Sequence, residues 1–185
     1  MQKNTDSTLV LEFTSNWVGP PNLYIISKTA GLHNVFTYRS IAENRFGPIY
    51  LPSGIKAEMR SGSNRRIYST TPSINEFFQP YPMKDKDVRI LWSKMNAHKP
   101  WLLTDDSTNG EGCPTRKTEI TKNGDTIVYD GRMYDGGGIR LYLITKDKVR
   151  FLDYYAPDYY EKECPGRKDR IAILTIGSLF SQNIL

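Results

Sequence analysis

Residues 116–155 consist of short alternating segments cut by turn residues, and this pattern commits that part of the chain to antiparallel β-structure. Arg116-Lys117-Thr118-Glu119-Ile120-Thr121-Lys122 faces Asp125-Thr126-Ile127-Val128-Tyr129 across Asn123-Gly124. Asn-Gly supplies positive φ at both central positions of a type I′ turn at little steric cost, so a two-residue hairpin is expected here. Asp130-Gly131 and Asp135-Gly136-Gly137-Gly138 punctuate the next segments, and 139–145 faces 148–155 across Lys146-Asp147. One uninterrupted meander is the expectation.

The remaining segments extend the β pattern. Leu9, Leu11 and Phe13 alternate on one face before Gly19-Pro20-Pro21 breaks the ladder, and 22–28 and 35–40 are further strands. Ile55, Ala57 and Met59 alternate with Lys56 and Glu58. Thr71-Pro72 is a helix start, a capping threonine followed by proline in the first helical position. Ile74, Phe77 and Phe78 share a face behind it, which predicts one short helix near residues 72–79. Alternation predicts a strand at 88–92, and 100–104 is a further strand candidate. The pattern of Ile171, Ile173 and Thr175 against Ala172, Leu174 and Ile176 predicts a closing strand over 170–176 buried on both faces, and 156–168 an irregular connection. The expected fold is all-β and mainly antiparallel, a β-sandwich or partly closed β-barrel in a single domain over residues 1–185, because a lone flat sheet would leave one strand face in water.

Composition limits the function classes more than it identifies one. Twelve tyrosines and seven phenylalanines compensate for a low apolar share of 38%. The net charge of +5 arises from 25 basic and 20 acidic residues without a concentrated basic stripe, so a weak anionic partner is compatible and a dedicated nucleic-acid binder is not expected. No stretch approaches the roughly 20 apolar residues of a membrane span. Residues 1–6 lack the apolar core of a signal peptide, so the expectation is a protein kept inside the cell or one whose export signal has been removed.

Four groups of residues are candidates for function. Asp-Tyr-Tyr occurs twice around Ala156-Pro157. Four tyrosines cannot all point inward from so short a segment, so Tyr154, Tyr155, Tyr159 and Tyr160 are expected to leave rings for a partner. Arg65, Arg66, Arg116, Lys117, Arg167 and Lys168 form an anion-binding rim if their strand starts share one end of the fold, with Arg170 beside them. Cys113 and Cys164 each precede proline and a basic segment. They are similar loops by coincidence, a disulfide, or half of a metal site for which His33 and His98 are too isolated. Asp125, Asp130 and Asp135 recur beside glycines, where turn geometry alone accounts for them.

Arg39, Ser69-Thr70-Thr71 and Glu161-Lys162-Glu163 occur in the order of the Arg, Ser-Thr-Ser and Glu-x-Glu elements of ADP-ribosyltransferases, which the chain resembles at these positions. The resemblance implies an NAD-using enzyme in which Arg39 and Ser69 hold the dinucleotide and Glu163 stabilises charge developing on the ribose. The third serine is replaced by Thr71, which a helix cap explains, and the Ser-to-Glu gap is longer than the family's. No other catalytic set and no cofactor-binding pattern stands out. The function expected is therefore non-catalytic contact with another protein or a second copy, as an assembly subunit or attachment module. The alternative is a barrel carrying a small apolar ligand among Trp17, Trp92, Phe77 and Phe78.

Overall fold

A computed structural model of the chain describes residues 2–14, 22–38, 78–106 and 110–184. Its largest element is a six-stranded antiparallel sheet. The strands are β1 (Ser7–Thr14), β2 (Asn22–Thr29), β3 (Leu32–Tyr38), β4 (Phe78–Pro80), β7 (Gly138–Thr145) and β8 (Val149–Tyr155). They lie in the order β4-β3-β2-β1-β7-β8. A separate two-stranded ribbon pairs β5 (Arg116–Ile120) with β6 (Thr126–Asp130). Antiparallel β-structure is thus present. The expected meander is interrupted, because β7 pairs with β1 and β8 and not with β6.

Registry explains why β1 and β7 lie at the centre. Leu9 pairs with Ile26 and Leu143, and Leu11 with Tyr24 and Leu141, so every second residue across three strands faces the same way. Leu152 and Tyr154 continue that face onto β8. Two helices cover it: α1 (Asp85–Ala97) supplies Val88, Leu91 and Met95, and the last helix, α3 (Lys168–Ile184), supplies Ile173, Ile176, Phe180 and Ile184. Gly177 permits the close approach of α3. A Cβ there would sit 3.0 Å from Ile139 Cδ1 and 3.4 Å from the Phe13 ring. The opposite face carries Thr8, Val10, Ile25 and Ser27, also buried.

The helices correct the all-β expectation. Residues 88–92 lie inside α1, 100–104 contains a single 3-10 turn at Pro100–Leu102, and 170–176 lies inside α3. The segment expected to be irregular contains α2 (Pro157–Glu163), whose proline occupies the first turn. The six-stranded sheet is open among the described residues, with β4 and β8 as its edges and helices rather than a second sheet on the Leu9 face, so neither sandwich nor barrel closure is seen. Of the short helix expected near 72–79, residues 72–77 lie outside the described residues, and 78–79 belong to β4. The alternation at 55–59 also lies outside the described residues, as do residues 66–70, where the sequence predicts re-entry into the sheet.

His33 on β3 packs against Trp92 of α1, with ring centroids 5.6 Å apart, and neither of its nitrogens has a hydrogen-bond partner among the described residues. Burial holds its pKa below the ordinary 6.5, with Lys28 and Arg89 acting in the same direction and Asp85 opposing. A folded-state pKa below the unfolded one means the unfolded chain binds the extra proton. The stabilising effect is therefore complete above about pH 6.5 and is lost as pH falls through the folded value. Urea midpoints should fall between pH 7 and pH 5 less steeply in His33→Phe than in the wild type. Identical slopes would contradict this placement of His33.

Candidate functional site

Cys113 and Cys164 are joined in a disulfide, their Cα atoms 5.6 Å apart, across a sequence separation of 51. The bond ties the segment leading into β5 to the end of α2. Against it lies Arg170, in the first turn of α3, with 0% of its surface exposed. Its Nη1 is 3.7 Å from each sulfur. Arg170 Nε donates to Asp106 Oδ2 at 3.0 Å, Nη2 to the Glu111 carbonyl at 3.0 Å, and Nη1 to the Tyr160 carbonyl at 3.2 Å. Asp106 is itself buried, and its Oδ1 lies 2.7 Å from Arg167 Nη1. Arg167 also reaches the Asp105 carbonyl and Glu111 Oε2. Glu161 Oε2 stands 4.0 Å from Arg170 and is otherwise unpaired among the described residues. One guanidinium thus holds together Asp106, Glu111, α2 and α3.

The four tyrosines are placed differently from the expectation that some point outward. Tyr154 and Tyr160 are buried and Tyr155 and Tyr159 half-buried, so none is exposed. Tyr154 Oη donates to the Thr104 carbonyl at 2.6 Å, and burial raises its pKa above the usual phenol value. Tyr160 Oη accepts from Met133 N–H at 3.1 Å, Tyr155 Oη accepts from Gly136 N–H at 2.9 Å, and Tyr159 Oη donates to the Gly131 carbonyl at 3.0 Å. Their correction has a simple physical cause: α2 comes directly after β8 and folds the second Asp-Tyr-Tyr back over the 131–136 segment. Gly110, at φ +66, makes room for the Tyr160 ring, which a Cβ would meet at 2.1 Å.

Of the expected basic rim, four of the six residues fall within the described residues. Arg65 and Arg66 lie outside the described residues. Arg167 is committed to Asp106, Glu111 and the loop carbonyls, and Lys117 to Glu163 with its ammonium over the Tyr159 ring. Arg116 and Lys168 are exposed. Of the residues resembling an ADP-ribosyltransferase, Arg39 and Ser69-Thr70-Thr71 lie outside the described residues. Glu161 accepts from Gly166 N–H at 2.8 Å, and Glu163 pairs with Lys117. Trp17 and Phe77 also lie outside, and Trp92 packs against the core. Among the described residues no three His, Cys, Asp or Glu side chains converge as a metal site, and no helix is long and apolar enough to cross a membrane.

What the residues do bring together is a projecting arm. Gly124 N–H donates to the Thr121 carbonyl, Thr121 N–H donates to the Asp125 carbonyl, and Gly124 alone has positive φ, at +86. This is a three-residue loop, a type I turn followed by a left-handed glycine, and not the two-residue type I′ turn expected from Asn123-Gly124. The register of the ribbon places Ile120, Thr118 and Val128 on one face and Ile127 with Tyr129 on the other. Among the described residues neither face has a core beneath it: Ile120 is 73%, Val128 58%, Ile127 50% and Tyr129 45% exposed. At the base, Gly131 N–H donates to the Thr115 carbonyl. Asp130 binds Arg132 through both carboxylate oxygens and accepts from Tyr134, contacts that hold its pKa well below the usual carboxylate range.

Sequence reasoning finds the ribbon but misses its exposure, since alternation cannot say whether a core lies underneath. It also groups Arg170 with solvated cations. The signal that separates it is helical spacing, which places Arg170 on the same side of α3 as Ile173 and Gly177. No family model matches this sequence, and no curated protein or solved structure is significantly similar to it.

Proposed function

We propose that this chain is a non-catalytic contact module that engages another polypeptide through the β5–β6 arm. The observation that carries the reading is the exposure of Ile120, Ile127, Val128 and Tyr129 on both faces of one ribbon. A two-stranded hairpin without a packed face is marginal in water, and clustered exposed apolar side chains mark sites of association. The base of the arm is, by contrast, fixed: the disulfide, the Lys117–Glu163 pair and the Tyr159–Gly131 bond all anchor it to α2. A rigid base under an exposed apolar strip lowers the ordering cost of docking.

A photo-crosslinking amino acid at Val128 should give a discrete polypeptide adduct in cells producing the protein. The same residue at Ile90, exposed on α1, should give none. Folded protein without adducts at Val128 would overturn the reading.

A further inference from the structure

We infer that the partner of the arm is a second copy of this chain, joined by antiparallel pairing of β6 with β6 about a two-fold axis through Val128. The inference rests on the arm being a contact element and adds its occupant and register.

The first support is the direction of the backbone groups. Thr121 N–H donates to the Asp125 carbonyl and Gly131 N–H to the Thr115 carbonyl, which fixes the alternation along the ribbon. Ile127 and Tyr129 then use their peptide groups on Glu119 and Lys117, while those of Thr126, Val128 and Asp130 point away from β5. No strand pairs with that side of β6 among the described residues.

The second support is self-complementarity. Centring a two-fold on Val128 sets Val128 opposite its own copy, Ile127 opposite Tyr129 of the second copy, and Thr126 opposite Asp130. The Ile–Tyr pairs fall at positions without ladder bonds, where side chains approach most closely, and aromatic with β-branched is a favourable cross-strand pair. The four-stranded row becomes Lys117, Tyr129, Ile127, Glu119, with opposite charges at its two ends. Thr126–Tyr129 carries no charge, and Asp130 is neutralised by Arg132.

The other described edges are guarded against the same pairing. β5 presents Arg116, Lys117 and Glu119, with Lys117 already bound to Glu163. β8 carries Arg150 and Asp153, and a two-fold at Leu152 would set Phe151 against Asp153. Arg150 is moreover held by the Trp101 and Leu103 carbonyls. β4 is only three residues long and ends in Pro80, which has no N–H to donate. Charges, short length and proline all keep edges from joining. Between Thr126 and Tyr129, β6 has none of these guards.

Two double variants test the register, both at exposed positions: Ile127→Lys with Tyr129→Lys, and Ile127→Glu with Tyr129→Glu. Sedimentation equilibrium should show wild-type dimer and each variant alone weakened by about tenfold or more, with an equimolar mixture of the two recovering a heterodimer. Far-UV circular dichroism of each variant should match the wild type. A monomeric wild type at every concentration, a dimer that persists in both variants, or a mixture that fails to associate would each overturn the inference. In any of those cases a Val128 photo-adduct with a different polypeptide would leave the contact-module reading standing. Absence of any adduct would remove both.

Discussion

Arg170→Met is expected to lower the free energy of unfolding by about 3–5 kcal/mol, the range for removing one partner of a buried ion pair. Asp106 is buried against Arg170 and would be left with only Arg167 beside it. The Glu111 and Tyr160 carbonyls would each lose a guanidinium donor. Arg170→Lys should recover little of this, because a single ammonium cannot span Asp106, Glu111 and Tyr160 together. Arg89→Met is the matched control. Its pairing with Asp85 is exposed and one helical turn away, so the change should stay within about 0.5 kcal/mol. Urea unfolding of the three variants reads the difference. A loss below about 1 kcal/mol in Arg170→Met would show that the guanidinium does not hold Asp106, Glu111, α2 and α3 together.

The disulfide is expected to contribute on a similar scale. Closing a loop with a sequence separation of 51 removes chain entropy worth about 4 kcal/mol from the unfolded state. Cys113→Ser with Cys164→Ser should lower stability by that order, and a thiol reductant should do the same to the wild type, since the bond persists only under oxidising conditions. Local structure should respond unevenly. The Gly131–Thr115 bond at the base of the arm lies close to Cys113 in sequence, whereas β1, β2 and β7 make none of their pairings through the bridge. Amide exchange should therefore accelerate at Gly131 well before it does at Leu9 or Ile26. An unchanged urea midpoint in the double serine variant would contradict this role. Because Arg170 touches both sulfurs, combining the two sets of variants should cost less than their sum.

The strands were legible from sequence where one face met a core. Leu9-Val10-Leu11-Glu12-Phe13 alternates because Leu9 and Leu11 meet α1 and α3, and the 139–145 and 148–155 pair was placed by the turn between them. The helices were lost for specific reasons. Val88, Ile90 and Trp92 alternate with Arg89 and Leu91 over five positions, too short a window to expose the spacing of Val88, Leu91 and Met95. The run Ile171–Ile176 is rich in β-branched residues and apolar except for Thr175. Only the longer window to Phe180 and Ile184 separates a 17-residue helix from a buried strand. Asn123-Gly124 is in a turn, but the bond from Gly124 to Thr121 lengthens the loop by one residue. At the site, Asp-Tyr-Tyr suggested spare aromatic surface, whereas the hydroxyls of all four tyrosines have partners within the chain. Spare apolar surface is clustered at Ile120, Ile127, Val128 and Tyr129, which local alternation had read as ordinary strand.

Amide hydrogen exchange at Thr126, Val128 and Asp130, followed across a dilution series, tests the self-pairing of the arm most directly. Protection at these three outward-facing peptides should rise with protein concentration and vanish in dilute solution, while the exchange of Leu9 and Leu141 in the central sheet stays constant. Rapid exchange at every concentration, or protection that survives extreme dilution, would contradict pairing between copies through β6.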